Sequence, residues 1–222
     1  MDNQITQSLK AAISRYAQQS GADGNGLADG LAQVFAADVP FMEKVAQMDA
    51  LLDDAPHFEE LREVLFDLLL MNFFMDDVKK LEEDYLESEE WEAIEEETID
   101  RGTELLNMLL YIRECQDEDL EPELGDYLKE FLLVDEDEFQ DEHRIYEPMI
   151  ANQLLVDSDF SAIARAASAV DEDSEVAAIF YPVLSFFNEP HFSEATFNAY
   201  VQAAPNKPMD AAVYALLTSF NQ

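Results

Sequence analysis

Apolar residues recur at spacings of three and four along almost the whole chain, which is the period of one face of an α-helix. In residues 4–19, for example, Ile5, Leu9, Ile13 and Tyr16 follow this spacing. Runs that alternate apolar and polar residues, as half-buried strands do, are hard to find. The pattern predicts an all-α fold, an irregular bundle of about ten to twelve helices. A degenerate helical-repeat solenoid is the alternative, although no repeat with a period of roughly 30–45 residues occurs.

Prolines, N-capping residues and breaks in the apolar pattern mark the ends of the predicted helices. These helices cover 4–19, 27–37, a segment that opens at Asp38 and Pro40, 56–75, 76–87, 89–114, a segment that begins at Pro122, 135–146, 160–170, 175–187, 194–203 and 209–220. Pro148 is expected to kink or restart the chain after the 135–146 helix. The most apolar stretch, 64–75, is too short for a membrane span, which takes about 20 residues. We predict a buried core helix there.

The pattern is compatible with a single all-α domain over residues 1–222. A sub-boundary, if the chain has one, falls near 116–121, where acidic turn residues separate an N-terminal half from an aromatic-rich C-terminal half. The start of the sequence lacks a basic segment followed by an apolar one, so no signal peptide is expected. Cys115 is the only cysteine, which leaves no intrachain disulfide. We therefore expect a cytoplasmic location and no membrane association.

The net charge of the chain limits the classes of molecule that it can bind. The net charge is -38, from 50 acidic against 12 basic residues. Residues 76–142 contribute more than half of it, with 28 acidic against 5 basic side chains. Direct binding of nucleic acid is not expected, because that binding depends on Lys and Arg that displace counterions from phosphates. The same field attracts basic proteins.

Within the predicted helix 89–114, apolar residues share one face and acidic residues step along the opposite face. A second acidic run opens the predicted helix 135–146, where carboxylates also suit the positive end of the helix dipole. The candidate partner-binding residues are Glu89, Glu92, Glu96, Asp100, Glu104, Asp135, Glu136, Asp137, Glu138, Asp141 and Glu142. Two other interpretations of this acidic surface stay open. It could be a solvated face that only keeps the chain in solution, or it could be an adaptation to high salt.

Motifs for catalysis, cofactors and metals are missing. The acidic run from Asp135 has Gln140 where a calcium loop needs glycine. The three histidines lack the Glu-x-x-His spacing of a di-iron bundle. No phosphate-binding loop, nucleophile elbow or zinc-protease motif occurs. We therefore expect no enzyme, no catalytic residues, no cofactor and no metal.

The leading hypothesis is a non-enzymatic acidic protein that binds a positively charged protein surface, as a nucleic-acid mimic or inhibitor, an immunity protein or a chaperone. The alternative is a helical enzyme or metal-dependent protein whose carboxylates converge only in the fold, since paired carboxylates leave little linear signature. A third possibility is structural: the aromatic-rich C-terminal half could form a homo-oligomer.

Overall fold

A computed structural model describes residues 2–76, 83–130 and 136–222, with the backbone alone at 83–84, 130 and 136–143. The protein is 76% helical, and no strand occurs in the described ranges. The predicted all-α, multi-helix fold is confirmed. The prediction of a single domain over 1–222, with or without a sub-boundary near 116–121, stays a prediction.

The α-helices in the described ranges are short to medium in length. They are α1 (Asn3–Ser20), α2 (Asn25–Ala36), α3 (Phe41–Asp53), α4 (Arg62–Asp76), α5 (Glu83–Leu86), α6 (Glu89–Thr98), α7 (Leu105–Asp117), α8 (Leu124–Glu130), α9 (Glu136–Ala151), α10 (Phe160–Ala167), α11 (Ala177–Asn188), α12 (Glu194–Ala203) and α13 (Lys207–Phe220). Two 3-10 helices, Pro56–Leu61 and Gln153–Asp157, precede α4 and α10.

The first and last of these helices, α1 and α13, form the most extensive helix–helix contact in the described chain. Small side chains let them approach closely: Ser8 and Ala12 of α1 are fully buried, as are Ala211 and Ala212 of α13. A helical solenoid brings each repeat into contact only with its neighbours in sequence. Pairing of the first helix with the last is therefore typical of a bundle and not of a solenoid.

Helix α4 supplies much of the core, as the apolar run predicts. Val64, Leu65, Leu68 and Leu69 are fully buried, and α4 packs on α1, α3 and α7. Buried apolar side chains form one continuous cluster from α1 to α13. In the described ranges, no helix has the length and apolar character that a membrane crossing requires.

One sequence prediction about helix continuity is wrong. The predicted helix 89–114 is interrupted after Thr98 and resumes at Leu105, so it is two helices, α6 and α7. Helix α9 includes Pro148 and continues to Ala151, so the helix does not restart at this proline, and a kink there stays a prediction. Of the predicted helix 76–87, residues 77–82 lie outside the described residues, and only Glu83–Leu86 follows as α5.

Candidate interaction site on helix α6

Helix α6 begins where the sequence predicts. The hydroxyl of Ser88 accepts the backbone N–H of Trp91 at 3.2 Å, as an N-cap should. Glutamates in the first turn also favour the positive helix N-terminus. On the inner side, Ile94 is buried, and the ring centroid of Trp91 lies 5.4 Å from that of Phe74 in α4. Apolar packing thus attaches the inner side of α6 to the core.

The outer side of α6 and the turn after it carry seven exposed carboxylates, beside the exposed side chains of Ala93 and Ile99. We call these residues the acidic face: Glu89, Glu90, Glu92, Glu95, Glu96, Glu97 and Asp100. Among the described residues, none of the seven belongs to an ion pair. The helix is about 15 Å long, so the carboxylates are densely placed along it. Four of the predicted partner-binding residues, Glu89, Glu92, Glu96 and Asp100, lie on this face.

Within the six-residue segment between α6 and α7, residues 101–103 form a loop that attaches the C-terminal end of α6 to α3 and α4. Arg101 forms ion pairs with Asp49 at 3.1 Å and Glu63 at 3.0 Å. Its guanidinium carbon lies 4.8 Å from the centroid of the Phe66 ring. The N–H of Gly102 donates to Glu63 Oε2 at 2.6 Å. The loop is therefore held by charge-assisted hydrogen bonds, which are about twice as strong as neutral ones.

Beside this loop lies Asp67, a carboxyl that is 2% exposed. Thr103 donates to it twice, from its backbone N–H at 3.0 Å and from its hydroxyl at 2.6 Å. Burial raises the pKa of Asp67 well above its usual range, although the hydrogen bonds from Thr103 oppose the shift. Gly102 has φ +85°, and a Cβ there would lie 2.6 Å from Asp67 Oδ1. Only glycine allows the loop to approach this carboxyl so closely.

Glu104, the last of the five candidate residues in the predicted helix 89–114, does not lie on the acidic face. It is half-buried and accepts the hydroxyl of Tyr146 at 2.6 Å and the amide of Asn107 at 2.9 Å. The Tyr146 hydroxyl also lies 2.9 Å from that of Tyr127, and both rings are 1% exposed. Burial, followed by the nearby Tyr127 and Glu104, raises the pKa of Tyr146. Glu104 therefore fastens α7 to α9 and is not presented to a partner.

The second predicted acidic run is described only in part. Asp135 lies outside the described residues. Glu136, Asp137, Glu138, Asp141 and Glu142 belong to the first turns of α9, and only their backbone is described. A role for these six residues in partner binding stays a prediction.

Sequence analysis missed the residues that position the acidic face: Arg101, Gly102 and Thr103. Arg101 continues the helical spacing of Ile94, Thr98 and Leu105, so the sequence pattern predicts a position inside a helix. The one available signal was Gly102, because glycine inside a helix costs about 1 kcal/mol relative to alanine. The carboxylates that bind the loop come from positions 49, 63 and 67, which no local pattern connects with it.

Within the described ranges, no group of three or more His, Cys, Asp or Glu side chains is arranged to hold a metal ion. No known protein family, no curated protein and no solved structure matches the chain.

Proposed function

We propose that this chain is a non-enzymatic interaction protein that binds a positively charged protein surface through the acidic face of α6. The observation that carries the proposal is the set of seven exposed carboxylates in residues 89–100, none of which has an ion-pair partner among the described residues. Elsewhere in the described chain, several carboxylates are held by arginines, as at Arg62 and Arg101. Residues 89–100 thus place seven unpaired carboxylates within twelve positions of the sequence.

Two features favour a binding role for this face. Trp91 packs on α4 at one end of α6, and the loop from Arg101 to Thr103 is hydrogen-bonded to α4 at the other. A partner therefore meets a surface that is already ordered, which reduces the entropy lost on binding. The net charge of -38 adds a long-range attraction that speeds encounter with a basic protein.

The spacing of the carboxylates suggests which basic proteins fit best. Glu89, Glu92 and Glu96 follow one side of α6 at intervals of three and four residues. At about 1.5 Å rise per residue, this places a charge roughly every 5 Å. Phosphates along one DNA strand are about 3.4 Å apart. The preferred partner is therefore a protein whose basic surface otherwise meets phosphates, and duplex DNA should compete for it.

The experiment compares two variants that lose the same number of charges. The first carries Glu92→Gln, Glu95→Gln and Glu96→Gln on the acidic face. The second carries Glu172→Gln, Asp173→Asn and Glu175→Gln in the exposed segment between α10 and α11. Affinity for a core histone, used as a basic test protein, is measured at several salt concentrations. At about 0.5 kcal/mol per exposed charge pair, the first variant should bind on the order of tenfold more weakly.

The control variant separates a specific face from the effect of net charge. It should keep its affinity within about twofold of the unaltered chain, because its three charges lie outside the acidic face. Only the α6 variant should show a smaller dependence of affinity on salt. Equal losses in both variants would mean that total charge, and not the acidic face, determines binding. That result would contradict the proposal.

A further inference from the structure

A recess lies beside the contact between α1 and α13, where the segment between α11 and α12 meets both helices. Its volume is about 540 Å³, which is a size typical of small-molecule sites. The small side chains of Ala11 in α1 and Ala215 in α13 leave room for it, and the half-buried ring of Phe192 lines it as well. Part of the lining is therefore apolar and can cover a hydrocarbon group.

The rest of the lining is basic and polar, although the chain as a whole is strongly acidic. The sequence holds 50 acidic and 12 basic residues. Lys10 and Arg15 both line the recess, whereas no aspartate or glutamate side chain does. The recess is therefore opposite in sign to the acidic face of α6, and its charges favour an anion as ligand.

The two cations differ in how far the protein itself engages them. Arg15 Nη2 donates to Glu194 at 2.6 Å, and the guanidinium carbon lies 5.1 Å from the centroid of the aromatic ring in the lining. Lys10 forms no ion pair with any residue that the structure describes. Within the described ranges, the hydroxyls of Ser14 and Ser219, which also line the recess, form no hydrogen bond. One ammonium group and two hydroxyls thus remain for a ligand, while Arg15 is held against the aromatic wall.

We propose that this recess binds a small organic monocarboxylate with an apolar body. The carboxylate can accept hydrogen bonds from Lys10, Ser14 and Ser219, while the apolar body packs on Ala215 and the aromatic ring. A single negative charge matches the one unpaired ammonium group. A dianion such as a phosphate monoester would keep an uncompensated charge in the field of a chain with net charge -38. The site is separate from α6 and requires no basic protein partner.

The test uses phenylacetate, phenylacetamide and acetate as probes. Each is titrated into the full chain at about 0.15 M salt, where exposed charges more than about 8 Å apart are largely screened, and the backbone NMR signals of α1, α6 and α13 are followed. Phenylacetate should give saturable shifts at Ala11 and Ala215 and none on α6. Phenylacetamide has nearly the same shape without the charge and should bind at least about tenfold more weakly. Acetate should also bind at least about tenfold more weakly, because it lacks the ring and buries little apolar surface.

Matched variants connect these shifts with the recess. Lys10→Gln should weaken phenylacetate binding about tenfold, because it removes the one unpaired ammonium group. Lys207→Gln removes an exposed lysine at the start of α13, outside the recess, and should change the affinity by less than about twofold. Ser14→Ala combined with Ser219→Ala should weaken binding by about three- to tenfold, since it removes two hydrogen-bond donors. Circular dichroism checks that each variant keeps its helical fold.

Three outcomes would overturn the proposal. They are equal affinities for phenylacetate and phenylacetamide, equal losses in the two lysine variants, and shifts that do not saturate, which would mean nonspecific contact only. None of these results bears on the acidic face, because the histone experiment uses other variants and a ligand of opposite charge. Conversely, equal losses of histone binding in the α6 variant and its control would leave the recess proposal intact.

Discussion

A buried aspartate gives the sharpest prediction about stability. Asp210 lies in the first turn of α13 and is 4% exposed. Its Oδ2 accepts the N–H of Asn206 at 2.8 Å. Burial raises the pKa of Asp210 from 3.8 to about 7, the Asn206 N–H opposes the shift, and the charge of Glu60 adds to it. The carboxyl therefore holds its proton more tightly in the folded chain than in the unfolded chain.

The sign and size of the effect follow from this difference in pKa. The contribution of Asp210 to stability is complete below its unfolded pKa of 3.8 and is lost as the pH rises through about 7. The full loss is about 4 kcal/mol, since one pKa unit corresponds to about 1.4 kcal/mol. Between about pH 5 and about pH 8, the same two pKa values give a loss of about 2.5 kcal/mol. The raised pKa of Asp67 acts in the same direction.

The substitution Asp210→Asn removes the titration and keeps an oxygen that can accept the Asn206 N–H. Urea unfolding of both proteins at about pH 5 and about pH 8 gives four free energies of unfolding. From the lower to the higher pH, the variant should gain about 2.5 kcal/mol relative to the unaltered chain. Asp67 and the net charge affect both proteins equally and cancel. Asp173→Asn, an exposed control, should show no such gain. If Asp210→Asn and the unaltered chain lost equal stability over this range, the reasoning would be refuted.

Two further substitutions test the contacts around α7. Gly102→Ala should lower the free energy of unfolding by about 2–4 kcal/mol, because the residue has φ +85° and its Cβ would lie 2.6 Å from a carboxyl oxygen. The control is Gly26→Ala in α2, where open space surrounds the position, and it should raise the free energy of unfolding by about 0.5–1 kcal/mol. Equal effects at the two glycines would contradict the close approach of Gly102 to Asp67. Tyr146→Phe should lower the free energy of unfolding, measured in urea, by about 1–3 kcal/mol, because it leaves the half-buried carboxylate of Glu104 without one hydrogen-bond donor. A loss below about 0.5 kcal/mol would contradict the role of Glu104 in holding α7 to α9.

Local sequence signals predict most of the helices well. Ile5, Leu9 and Ile13 lie on one face of α1 and are buried, as their spacing indicates. The apolar run in α4, which only Asp67 and Asn72 interrupt, is buried nearly all round. Ser88 and Ser193 cap α6 and α12 through their hydroxyls. Each of these features depends on contacts within a few residues or on a periodic face, which a single sequence displays directly.

Long-range pairing could not be predicted in the same way. The contact between α1 and α13 joins segments about two hundred residues apart in sequence. Small buried residues such as Ser8 and Ala211 do not indicate which helix they pack against. The burial of Asp210 is equally hidden, because an aspartate in the first turn of a helix is usually exposed and favourable there. Its raised pKa arises from burial, to which the charge of Glu60 in the first 3-10 helix adds, and only the fold brings these groups together.

The interruption between α6 and α7 shows how tertiary contacts can override a local pattern. Helical spacing continues through Thr98, Arg101 and Leu105, so sequence periodicity alone predicts one helix across the gap. A continuous helix would contain Gly102 in its interior, which costs about 1 kcal/mol relative to alanine. Breaking it lets the loop form an ion pair and a charge-assisted hydrogen bond with Glu63, each worth about 1.5–3 kcal/mol, and hydrogen bonds with the buried Asp67. The break therefore has the lower free energy. It turns Glu104 inward and ends the acidic face at Asp100, which makes this face shorter than the sequence suggests but attaches it to the core.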